Sequence, residues 1–294
     1  MYRGLGDFDS VLPRLVGLLD ALSDSLGSAI DDALVSEPSY ELPQRIYRVF
    51  ELISEAAAAV SIAQEPDRDL VLHKVQQLMN EIASLAEYLS SVLRVAGENM
   101  GAEKFIKSTS QKLGQLINVQ FKVPLNKIKH EGFALGWLTI THDGQAPLHG
   151  FAVNGLIERK TIGPASFRFP NAIAEGYSFA FFLRRATVSL YELCDLVDAA
   201  IRHLYSVELG RKGVTTSRPG SLPPAEAVVR ELSFMPFQGF PNEHMNKVPE
   251  LGIVGNEMVL LRTRMLRFAN GPHTVQTYII ARKGYTFRLP YWWK

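Results

Sequence analysis

Apolar residues recur at intervals of three and four through most of the first half of the chain. Leu12, Leu15, Leu19, Leu22, Leu26, Ile30 and Ala33 form the first stripe. It predicts an amphipathic helix of about seven turns, capped by Asp9 or Ser10. Glu37-Pro38-Ser39 breaks it, because proline disfavours helical geometry in the residue before it. A second helix is predicted over residues 42–63, with Ile46, Phe50, Ile53, Ala57 and Val60 inward. After Glu65-Pro66-Asp67, a third carries Leu70, Val71, Val75, Leu78, Ile82, Leu85, Leu89 and Val92 and ends near Gly97. The fourth starts around Ala102 and carries Phe105, Ile106, Leu113, Leu116, Ile117 and Phe121 toward the stretch where the halves join. Long helices with short connections predict an antiparallel bundle.

Beyond His130 the period shortens to two. Residues 133–141 read as a strand, Asp143-Gly144 as a turn and residues 148–157 as the returning strand of a hairpin. A loop with Gly163-Pro164 and Phe169-Pro170 leads to a fifth helix over residues 177–207, striped by Phe179, Phe182, Ala186, Leu190, Leu193, Val197, Ile201 and Leu204. Arg184, Arg185 and Arg202 alternate there with Glu192, Asp195 and Asp198, a mixed face that solvation explains. Residues 210–224 hold the glycines and prolines of a linker. A short helix over 225–232, a strand over 258–268 turned by Ala269-Asn270-Gly271-Pro272, its partner over 274–282 and a last strand over 285–289 are predicted after it. Tyr291-Trp292-Trp293 is expected to dock on the core or on a second subunit. The expected fold is mainly α: about five long helices in an antiparallel bundle over 1–209 with a β-hairpin insertion at 133–157, a linker at 210–224 and a smaller β-rich portion at 225–294.

Composition narrows the class. Among 294 residues, 47% apolar and 21% charged describe a globular chain able to bury a core. Its single cysteine, Cys194, excludes an intrachain disulfide and a cysteine-based zinc cluster. The opening residues show no signal-peptide pattern and the apolar runs are too short to span a bilayer, so a cytoplasmic protein without a membrane partner is expected. The net charge of +1 hides a polarity. Through Phe121 there are ten Lys and Arg against seventeen Asp and Glu, a net of −7; from Lys122 there are twenty-one against thirteen, a net of +8. The two halves attract one another, or the second meets phosphate.

The candidate chemistry lies at Pro124-Leu125-Asn126-Lys127-Ile128-Lys129-His130-Glu131-Gly132, where the halves join. If this stretch is helical, Asn126 and His130 share a face, with Lys127 and Lys129 to either side. Such a face holds a phosphate, or it is a solvated helix end whose cations suit the dipole. With its four preceding long helices and one following, the stretch resembles the HEPN superfamily (higher eukaryotes and prokaryotes nucleotide-binding) over residues 8–208. Asn126 matches the polar position of that family's motif and His130 its histidine, while Leu125 stands where the arginine belongs. The resemblance implies a metal-independent endoribonuclease of antiviral defence or toxin-antitoxin biology, a homodimer with facing motifs and no cofactor. His130 would then act as acid or base and Asn126 would orient the phosphate. Lys127, Lys129 or Lys122 would supply the missing cation, as a point charge in place of a bidentate fork. The competing reading is a non-catalytic dimeric interaction or signalling protein that binds a partner through a C-terminal β-hairpin.

Other constellations are weaker. His142 and His149 flank the turn and with Asp143 would form a facial metal set, but the turn already explains Asp143, and no metal is expected. Glu243-His244 has no second histidine at ligand spacing. Cys194 falls on an apolar helix face, as an inert thiol does. Nucleophile-elbow, P-loop and dinucleotide motifs are absent from the sequence. Arg262, Arg264 and Arg282, with Lys122, are the candidate nucleic-acid contacts, and Met258, Leu260 and Leu266 make the same C-terminal hairpin a candidate edge for a protein partner.

Overall fold

The computed structural model describes residues 3–4, 15–22, 26, 38–61, 66–142, 146–165, 167–169, 172–212, 223–240, 243, 247–254, 257–265, 273–277 and 284–288. The chain is mostly helical, with a curled sheet against the helices. Of the first predicted helix, α1 (Leu15–Ala21) is described. Helix α2 (Pro38–Ser61) starts on Pro38 itself, whose missing N–H is free of cost in an opening turn. Helix α3 (Arg68–Asn99) is capped by Asp67, whose carboxylate accepts the Leu70 N–H at 3.1 Å. Leu70 therefore sits in the first turn, 46% exposed, and not on the inward stripe to which its spacing assigned it.

Helix α4 (Glu103–Ile117) packs back on α3, close enough that a Cβ on Gly97 would collide with Ile106. It then runs without a break through a π-helical turn, Asn118–Lys122, into α5 (Val123–His130). Pro124 accounts for that turn: it cannot donate to a carbonyl four residues back and its ring crowds that carbonyl, so the helix widens before it. Leu113, Ile117, Phe121 and Leu125 stay in the core through the change of pitch. Gly132, at φ 71°, turns the chain out of α5, and the Phe133 N–H donates to the Lys127 carbonyl at 3.2 Å.

Helix α6 (Phe179–Leu204), capped by Ser178, packs against α1, α2, α3 and α4. After it come α7 (Ser206–Lys212) and α8 (Pro223–Phe234), the latter against α2. Ala225, Val228, Leu232 and Met235 of the α8 region join the same core cluster as the first helices.

Strands β2 (Ala134–His142) and β3 (Leu148–Glu158) pair antiparallel, as their alternation predicts. They form the centre of a six-stranded sheet. β10 (His273–Thr277) adds beside β2, β4 (Thr161–Pro164) beside β3, and β11 (Thr286–Phe287) parallel to β4, with the short β7 (Tyr177–Ser178) against β3. A second sheet has the order β1 (Arg3–Gly4), β9 (Glu257–Met265), β8 (Lys247–Val254). β5 (Phe167–Phe169) and β6 (Ala172–Ala174) pair alone. The hairpin predicted from residues 258–268 and 274–282 is not formed: β9 pairs with β8, and β10 with β2. Turn residues fix a reversal of the chain, whereas the choice of partner strand is made by non-local packing.

Trp137, Phe151 and Val153 lie on the face of the main sheet turned to the bundle, where Trp137 and Phe151 meet Phe179. On the other face Phe240 covers Leu138, Ile140 and Ala152. Gly150 permits that cover, since a Cβ there would lie 2.6 Å from the Phe240 ring and against the Tyr177 carbonyl.

Candidate functional site

The stretch that joins the halves closes α5. Lys127, Lys129 and His130 fall in its last turn, where cations meet the negative end of the helix dipole. Asn126, Lys129 and His130 are exposed, and no side-chain hydrogen bond or ion pair joins any of the three to another described residue. Lys127 is engaged twice: its Nζ lies 2.9 Å from Glu131 Oε2 and sits over the Phe133 ring at 4.9 Å. Lys122 is held 3.0 Å from Glu87, an ion pair that crosses from the basic half to the acidic one. Leu125, at the position of the motif arginine, is 2% exposed and belongs to the core, so a guanidinium there would lose its water.

Two clefts flank α4. One, of about 450 Å³, lies between α3 and α4 and is lined by Glu87, Ser91, Arg94, Glu98, Lys107 and Ser110 among others. The second, of about 600 Å³, lies between α4 and α6, where Arg185 is paired with Glu192 at 2.7 Å. Neither includes Asn126, Lys127, Lys129 or His130.

Arg262 and Arg264 occupy alternate positions of β9, as predicted, and the register sets Glu250 of β8 opposite Arg262. Arg282 lies outside the described residues. His149 is in register with Thr139 while His142 is in register with His273, three residues further along β2; the two histidines thus fall on strand positions of opposite parity, and Asp143 is outside the described residues. The His149 ring is taken up elsewhere: Trp137 Nε1–H donates to Thr139 Oγ1 at 2.9 Å, and that hydroxyl meets His149 Nδ1 at 3.1 Å. Burial and the nearby Arg68 hold the His149 pKa below its ordinary value. No group of three potential metal-ligating side chains occurs among the described residues. The Cys194 thiol is fully buried, and burial pushes its pKa far up.

Buried ionisable side chains escape sequence reasoning: Asp198, read as part of a solvated face, is 8% exposed and pairs with Arg202 at 2.7 Å, and Arg184 and Glu243 are buried more deeply. Arg184, 2% exposed, donates to the carbonyls of Leu232 at 2.7 Å, Met235 at 2.8 Å and Ala180 at 3.0 Å, and stacks over Phe237 at 4.2 Å. It caps the C-terminus of α8 from α6. Burial lowers its pKa to about 10, against the attraction of Glu250. Glu243 accepts the backbone N–H groups of Ser178 and Phe240, each at 2.8 Å, and so fastens its own loop to the start of α6. Burial pushes its carboxyl up to about 8, although its hydrogen bonds to Ser178 and Phe240 pull the other way. A signal for Arg184 exists: Arg185, Glu192, Asp195 and Ala199 mark the outward line of α6, and Arg184 is off it.

One apolar feature faces outward. Leu156 of β3 is in register with Ile162 of β4, which is in register with Phe287 of β11, so the three form one row across three strands. Thr161 and Thr286, the preceding pair, meet through their hydroxyls at 3.1 Å and confirm the shared parity. Leu156 is 51% and Phe287 42% exposed. Two residues along β3 on the same face, Asn154 is buried and its Nδ2 has no hydrogen-bond partner among the described residues.

Comparison with family models, curated proteins and solved structures finds no match to this chain.

Proposed function

We propose that the chain is a non-catalytic interaction protein that receives an apolar segment of a partner on the outer face of its main sheet. The observation that carries this reading is the row Leu156–Ile162–Phe287, apolar side chains aligned across three strands, with exposed Leu156 and Phe287 flanking a half-buried Ile162. Phe287 belongs to the C-terminal portion, the part of the chain in which a partner surface is expected from sequence. A displayed random-peptide library tests it. Selection on the chain enriches apolar and aromatic peptides that lose binding to Leu156→Asp; enrichment of no peptide sensitive to that change overturns the reading.

A second reading, an HEPN-like protein that binds or cleaves RNA as a dimer, is favoured by the exposure of Asn126, Lys129 and His130 on one helix end. Cleavage of a ribose phosphate needs an acid, a base and a cation, and one copy offers a single imidazole there, with Lys127 already paired. The second imidazole would come from a second copy. RNA cleavage that persists in EDTA and disappears in His130→Ala is the outcome that establishes it.

A further inference from the structure

The cleft between α3 and α4 is bounded at both ends. At one end the helices touch, because Gly97 has no Cβ to hold Ile106 away. At the other, Lys122 Nζ reaches Glu87 Oε1 at 3.0 Å. The space between, about 450 Å³, has the buried Ile106 on its apolar side and is in the size range of small-molecule sites. Its polar groups are not all engaged with one another. Arg94 meets Glu98 through Nη1 alone, at 3.1 and 3.5 Å, so Nε and Nη2 donate to no described residue. Glu103 and Lys107 stand one turn apart on α4, in the order that favours pairing on a helix. Yet no side-chain hydrogen bond or ion pair joins either to a described residue, and the same holds for Ser90 and Ser110. All four line the cleft.

The charges select among ligands. Three carboxylates and two cations line the cleft, and Lys122 offsets Glu87. The site is close to neutral, with charges of both signs open to it. A polyanion would meet Glu98 and Glu103, and a polyamine would meet Arg94 and Lys107, each a like-charge contact. A molecule with one charge of each sign meets a partner for both.

We propose that this cleft binds a small zwitterion of the free α-amino-acid class, its carboxylate on Lys107 and the open edge of Arg94, its ammonium on Glu103. Ser90 and Ser110 add hydroxyls to the same walls, and an uncharged ligand side chain rests against Ile106. The charged groups lie at an exposed mouth, where ion pairs are screened and weak, so a dissociation constant in the millimolar range is expected. The lining shares no residue with the apolar row of the main sheet or with the end of α5, so the inference is independent of both readings above.

Saturation-transfer NMR on the full chain, with each amino acid of uncharged side chain in turn, is the test. At least one is expected to bind saturably. Its affinity should fall severalfold in Lys107→Gln and in Glu103→Gln, both at exposed positions, and stay unchanged in Arg48→Gln on α2, which does not line the cleft. Circular dichroism checks the fold of each variant. The methyl ester of that amino acid, which lacks the carboxylate, should bind more weakly and be indifferent to Lys107→Gln. The N-acetyl derivative, which lacks the ammonium, should be indifferent to Glu103→Gln. No saturable binding by any of the amino acids, or an affinity that neither substitution moves, overturns the proposal. Acetate or inorganic phosphate binding as tightly as the amino acid, and weakened by Lys107→Gln alone, makes the cleft a plain anion site and overturns it as well.

Discussion

The Glu243 carboxylate accepts the Ser178 backbone N–H at 2.8 Å across 65 residues of sequence. From the opposite direction Arg184, on α6, reaches the carbonyls that close α8. The segment from α8 to Glu243 is thus fastened to α6 at two points by buried ionisable side chains, each hydrogen-bonded to the backbone.

Stability should fall as pH rises through the range set by Glu243. Its folded pKa, about 8, is above its ordinary 4.5, so between those values the folded state holds a proton that the unfolded state has released. The contribution is complete below 4.5 and lost as pH passes about 8. Urea unfolding at a series of pH values should show a decline from pH 5.5 to 8.5, flattened in Glu243→Gln. An unchanged slope in that variant would assign the decline to other groups.

Arg184→Ala takes a donor from each of the buried carbonyls of Leu232 and Met235, leaving Leu232 the Met235 N–H at 3.2 Å. At about 1–3 kcal/mol for a buried group left unpaired, and with the guanidinium's packing lost as well, the expected destabilisation is about 2–4 kcal/mol, read as a lower urea midpoint at constant m-value. Arg184→Lys should recover part of this, since an ammonium donates without the planar fork.

Gly150→Ala should cost about 1–3 kcal/mol by overpacking, because the added Cβ meets the Phe240 ring and the Tyr177 carbonyl. Gly114→Ala, where a Cβ meets nothing within 4 Å, should stabilise α4 by up to about 1 kcal/mol. Thermal melts of the two variants check the contrast.

Glu131→Ala removes the carboxylate beside Lys127, an ion pair at an open helix end, so stability should change by less than about 1 kcal/mol. If the end of α5 contacts RNA, the same change frees a cation and should tighten binding to a short single-stranded RNA with a steeper salt dependence. Unaltered affinity and salt slope would count against an RNA contact at this turn.

The helices were legible in sequence because apolar spacing at three and four residues is a local property: Ile46, Phe50 and Ile53 on α2, and Phe179, Phe182 and Leu190 on α6, are buried as their spacing predicts. The β2–β3 pair was legible for the same reason, through its alternation and its turn. The sequence also placed Asn126 and His130 one helical turn apart, which the structure retains at an exposed helix end. Tertiary structure alone decided the rest. The pairing of β10 with β2, and of β11 with β4 at Phe287, joins segments more than a hundred residues apart, and no local signal encodes a partner at that distance. The burial of Arg184 and Glu243 depends on segments far apart in sequence meeting at α6, where backbone groups of one supply the hydrogen-bond partners for the side chain of the other. Periodicity determines which face of an element is apolar; only packing determines what meets that face, and so whether a residue such as Leu156 is covered or left to bind.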